Sequence, residues 1–102
     1  MTTKTAQFTP GPWHARRNHA ETTEGERINI TAGSILIAET HHAWVDWEEQ
    51  EANAALIAAA PVMYADLRII RDYLYKLYDD GNMQAGEYAA SLDTTLAQAE
   101  GR

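Results

Sequence analysis

The second half of the chain carries apolar residues at Leu56, Ala60, Met63, Leu67, Ile70, Leu74 and Leu77, spaced four and three apart. That spacing matches the turn of an α-helix and places all seven side chains on one face. The phase survives Pro61. Proline removes a backbone donor and disfavours helical geometry at the residue before it, so a break or tight kink is expected there, leaving two helices that share one buried seam. Seven such residues exceed what a small helical hairpin needs to cover. Leu56, Ala60, Met63, Leu67, Ile70, Leu74 and Leu77 are therefore the expected interface of a homodimer, with Asn53, one step earlier, marking the polar end of the seam or setting its register.

Local signals frame the rest. Asp46 ahead of Glu48 and Glu49 supplies an N-cap acceptor and an acidic first turn, although Gln50 stands where a hydrophobic staple to Val45 would need an apolar residue. A first helix then runs through the alanine-rich stretch Ala52 to Ala60. A second covers Val62 to Tyr78, with Asp72 and Lys76 at i,i+4, and stops at Asp79-Asp80-Gly81-Asn82, where Gly81 can take a left-handed cap. Met83 to Ala99 makes a third helix, its Ala85, Ala89, Leu92, Leu96 and Ala99 again one face, at the cost of a glycine in its interior.

Upstream, Arg27 to Thr31 alternates polar and apolar residues, so Ile28 and Ile30 point to one buried face. Ala32-Gly33-Ser34 is a turn, and Ser34 to Ala38 is an apolar run that reads as a central strand covered on both faces. Trp13 to Arg17 is a candidate third strand, and Asn18 to Glu26 a polar loop. A hairpin alone is marginal and needs a helix over it. The fold class is thus α+β: a small antiparallel sheet of two or three strands packed by an alanine-rich helix, then a helical hairpin. Residues 1–9 are polar and expected to be flexible; Thr9-Pro10-Gly11-Pro12-Trp13 is a rigid turn that opens a single domain over residues 10–102.

Composition excludes several classes. There is no cysteine, hence no disulfide framework, thiolate metal site or cysteine nucleophile. The N-terminus lacks the apolar core of a secretory signal, no apolar run approaches the roughly 18–20 residues that span a bilayer, and a soluble cytoplasmic protein with no membrane partner is expected. Of the net charge of −7, most belongs to the helical half: residues 48–102 hold four basic and ten acidic residues, residues 1–47 four and five. Phosphate repulsion makes direct nucleic-acid binding a poor fit.

Two clusters carry the candidate chemistry. Trp13, Arg16, Arg17, His42, Trp44 and Trp47 form the candidate ligand site, since an aromatic face beside a guanidinium suits a planar anion such as a nucleotide; the competing reading puts the tryptophans in the core. His41, His42, Asp46 and Glu49 are metal-ligating types, but adjacent histidines in extended chain point apart and no second ligand group completes a set, so no metal is assigned. No nucleophile elbow, triad or phosphate loop is present; the chain reads as no enzyme, with no cofactor. The five tyrosines suit either helix packing or a partner surface.

Two segments together resemble a known group. Thr9-Pro10-Gly11-Pro12-Trp13 and Glu51-Ala52-Asn53-Ala54-Ala55-Leu56-Ile57-Ala58-Ala59-Ala60-Pro61 are similar to the TPGPW opening and EANAxLIAAAP helix of small, mostly uncharacterised proteins of tailed bacteriophages and prophages, over Thr9 to about Leu67. The resemblance implies a phage accessory protein working in the cytoplasm of a bacterial host. The expected function is non-enzymatic binding that counters host defence, by sequestering a small nucleotide-type signal or by blocking a host protein. The alternatives are an acidic DNA-mimic decoy and a small metal-dependent enzyme at His41, His42 and Asp46.

Overall fold

The chain was analysed as a computed structural model, which describes residues 8–18, 27–40 and 46–102. Its elements are β1 (His14–Asn18), β2 (Arg27–Ala32), β3 (Ile35–Glu39), α1 (Trp47–Asp79) and α2 (Met83–Ala99). The α+β class with a helical hairpin is what the spacing predicts. The described residues group into two compact units, those of 9–62 and those of 63–102 with Phe8.

In the first unit the three strands form an antiparallel sheet in the order β1-β2-β3. Gly33, at φ +61°, occupies the two-residue loop that turns β2 into β3, a conformation glycine adopts without a Cβ penalty. β2, not β3, is the central strand, which corrects the reading of Ser34 to Ala38. Among the described strands β2 pairs on both sides, with β1 and with β3, and β3 carries a β-bulge: Ile30 pairs with Ala38 but Thr31 pairs with Leu36, so Ile37 is the extra residue. Ile37 and Ala38 consequently both pack on the core, while Ile35 and Leu36 are exposed. A continuous apolar run thus arises from a broken alternation on an edge strand, with no second cover needed.

Ile28, Ile30 and Ala54 make the core of this unit, with Trp13, Trp47, Ile57 and Ala58 packed around it. Asp46 is the N-cap of α1, its Oδ1 accepting from the Glu49 amide at 2.8 Å. Gln50, the residue that spoils a staple, is fully buried and takes a different role: its side-chain oxygen accepts from the Thr40 hydroxyl, which in turn accepts from the Ile28 amide at 3.2 Å. The end of β3 is thereby tied to the first turn of α1 by polar groups inside the core.

The helix does not break at Pro61. Of the break or tight kink expected at this position, the break is absent: α1 is helical throughout its 33 residues with proline inside it. The proline ring is used as a packing surface: a Cβ built on Gly11 would fall 2.8 Å from Pro61 Cβ, so the Thr9–Trp13 turn comes this near α1 only because residue 11 has no side chain. The peptide between Gly11 and Pro12 is cis. Continuity also joins the alanine stretch to the ladder. By length and composition α1 is apolar enough to cross a membrane, with mean hydropathy 1.3 over 18 residues, which corrects the statement that no run approaches that length.

In the second unit α1 ends on Gly81, at φ +108°, with the amides of Gly81 and Asn82 returning to the carbonyls of Tyr78 and Leu77. Asn82 then caps α2, accepting from the Ala85 amide at 3.1 Å. Ala85, Ala89 and Leu96 are the buried face of α2; Leu92 is half-buried and Ala99 exposed. Side chains bridge the two helices: Arg71 Nη1 donates to Asp93 at 3.1 Å, and the hydroxyls of Tyr75 and Tyr64 donate to Asp93 and Glu100. Asp72 bonds Arg71, not the Lys76 that i,i+4 spacing suggests.

The ladder is not covered within the chain. Leu56 is 62% exposed, Met63 46% and Ile70 48%, Ala60 is exposed, and Leu67, Leu74 and Leu77 are half-buried, while the fully buried residues of α1 are Gln50 and Ala54. A shared helical face is what the spacing establishes; within the chain that face is not a buried seam. Asn53 is exposed as well.

Candidate functional site

The β-pleat decides what becomes of the paired arginines. Residues directly opposite in an antiparallel ladder project to the same side, and Arg17 lies opposite Ile28 while Arg16 lies opposite Asn29. Arg17 therefore shares the α1-facing side, and Arg16 projects from the other. The guanidinium of Arg17 lies 4.6 Å from the centre of the Trp47 ring and is ion-paired to Glu51. Trp47 and Glu51 are one helical turn apart on α1, so one strand residue meets both.

Of the six expected ligand residues, Arg17 and Trp47 are brought together. Arg16 is exposed on the opposite face. Trp13 is half-buried on the core, its indole N–H donating to the Thr9 carbonyl at 3.0 Å. His42 and Trp44 lie outside the described residues, as does His41. Both described tryptophans are thus core-packing residues. The Trp47 ring already holds a cation, Arg17, whose charge Glu51 offsets. Both interactions are exposed and contribute only on the order of 1 kcal/mol each. Glu51, which is not among the six expected ligand residues, is the residue that closes this site; its i,i+4 relation to Trp47 is the local signal that points to it as a neighbour of that ring. Among the described residues no group of three or more metal-ligating side chains converges.

A second polar constellation lies in the helical hairpin and is absent from any motif. Tyr64 has Arg68 5.7 Å from its ring centre, packs edge-on against Phe8 at 4.9 Å, and donates its hydroxyl to Glu100, which also pairs with Arg102. The bond to Glu100, helped by burial, raises the Tyr64 phenol above its ordinary value, and the same bond, with Arg102, lowers the Glu100 carboxyl. The signs give opposite limbs. Glu100, lowered on folding, stabilises above the ordinary carboxylate range near pH 4.3, and that contribution disappears as pH falls through its folded-state value. Tyr64, raised on folding, stabilises below about pH 10, and that contribution disappears as pH rises through its folded-state value. Tyr64→Phe is expected to flatten both limbs of a plot of Tm against pH relative to the unaltered chain. Parallel curves would show the bond does not couple to folding.

The whole chain, residues 1–102, matches the family model described as Salmonella phage P22 protein Y8K6. The chain belongs to that phage protein family. No curated protein and no solved structure matches it.

Proposed function

We propose that this chain is a non-enzymatic phage accessory protein that counters host defence by stoichiometric binding, and that it occupies a host protein instead of sequestering a nucleotide-type signal. One observation carries the choice. In the second unit Met63, Ile69, Ile70 and Tyr73 are 46, 67, 48 and 60% exposed. At roughly 100° per residue they fall within an arc of about 120° on α1. Apolar anchors at i, i+3/i+4 and i+7 are what an amphipathic helix lays into a partner's groove. The nucleotide alternative has less support, since Trp47 and Arg17 engage each other and Arg16 points elsewhere.

The test uses the double variant Ile69→Lys/Tyr73→Lys. Its sites are exposed, so its unfolding free energy should stay within about 1 kcal/mol of the parent. Affinity capture from host lysate is expected to retain a protein with the parent and lose it with the variant, while calorimetry against cyclic and ADP-ribose nucleotides shows no heat. Saturable nucleotide binding lost on Arg17→Ala would favour sequestration instead. Light scattering on the purified chain decides whether a second copy, through Leu56 to Leu77, takes that face.

A further inference from the structure

Three of the hairpin's five tyrosines, Tyr64, Tyr75 and Tyr78, meet α2 or the residue after it. Tyr64 is matched with a carboxylate, Glu100, and a guanidinium, that of Arg68. Tyr75 is matched with Asp93, which also holds Arg71. Tyr78 is the third. It lies across α2 at Gly86, where an added Cβ would sit 2.9 Å from Cε2 and 3.0 Å from Cγ, so the ring is seated there only because position 86 is glycine. Glu87 is the next residue on α2, and among the described residues no arginine or lysine is ion-paired to it.

Tyr75, Tyr78, Met83, Gly86, Glu87 and Ala90 line a groove of about 420 Å³. Aromatic faces, a thioether and one carboxylate are the chemistry that holds a guanidinium: the planar cation lies on a ring while its N–H groups reach the carboxylate. The surroundings favour a cation, since residues 63–102 hold seven acidic and four basic residues, three of the four being the arginines already engaged above. We propose that this groove is an anchor site for an arginine side chain presented by the protein partner. The assignment deepens the reading that the chain occupies a host protein, and rests on it for the source of the arginine.

The probes are Nα-acetyl-arginine methylamide and its neutral isostere Nα-acetyl-citrulline methylamide, titrated into the full-length protein by amide NMR. Saturable shifts at Tyr78, Gly86 and Glu87 are expected with the arginine compound, at an affinity on the order of millimolar, and none with citrulline. Glu87→Gln, an exposed change, should weaken binding roughly tenfold, the share of one charge-assisted contact. Equal shifts with citrulline, no shift at these amides, or shifts scattered over every acidic residue would each overturn the assignment. If the probe fails but Ile69→Lys/Tyr73→Lys still loses a host protein, the groove assignment falls and the binding function stands. If the probe binds but neither that variant nor Glu87→Gln alters capture, the function falls and an arginine-selective groove remains.

Discussion

Ile30→Ala is expected to lower the unfolding free energy of the β-sheet unit by about 2–5 kcal/mol, the range for truncating a buried aliphatic side chain to alanine. Ile30 is fully buried, and among the described residues the other buried members of its core cluster are Ile28 and Ala54. Little can collapse into the space it leaves. Against a total stability of about 5–15 kcal/mol for a domain, this is enough to lower Tm by ten degrees or more. Trp13 and Trp47 pack on the same cluster, so tryptophan fluorescence during thermal or denaturant unfolding reads this unit directly. Ile30→Val, which keeps most of the volume, should lose only about 0.5–1.5 kcal/mol. Equal losses for the two variants would mean that filling this site is not what holds the sheet and helix together.

Leu96→Ala is expected to have a comparable effect, about 2–5 kcal/mol, on the helical hairpin. Leu96 is 1% exposed, and the other fully buried residues of α2 are Ala85 and Ala89, whose side chains bury little area. One leucine therefore supplies most of the large buried apolar surface on that helix. Far-UV circular dichroism should follow the loss, because the described tryptophans lie in the other unit. The informative comparison is Leu56→Ala. Leu56 belongs to the long apolar ladder but is 62% exposed, so at low protein concentration its truncation should change stability by no more than about 0.5 kcal/mol. A loss from Leu56→Ala that grows with protein concentration would instead place that residue in a homodimer interface.

Much of the local structure is legible in the residues. Asp46 and Asn82 begin the two helices because a short polar side chain there accepts an otherwise unpaired amide. Gly81 ends α1 and Gly33 turns the hairpin because both need positive φ. Ile28 and Ile30 face the core because alternation puts them on one side of β2. The candidate site is less legible. Adjacent arginines read as one basic patch, yet strand geometry sends Arg16 and Arg17 to opposite faces. Tryptophans near them read as a stacking surface, yet Trp13 and Trp47 fill the edge of a core that is otherwise built largely from small and β-branched side chains. Aromatic residues serve packing and recognition by the same physical property, and residue type alone does not separate the two uses.

The sequence by itself determined which residues of a helix share a face, where the helix caps and the hairpin turn fall, and that helices follow strands, since these depend on hydrogen bonds and steric preferences within a few positions. Only the tertiary structure decided what each face meets. It carried α1 through Pro61 with Gly11 against the proline ring, placed a bulge in the edge strand β3, and seated Tyr78 on Gly86. It also left Met63, Ile69, Ile70 and Tyr73 exposed. Periodicity fixes direction around a helix axis, but burial is settled by atoms far away in the chain, and so the same apolar spacing serves a core in one place and an open surface in another.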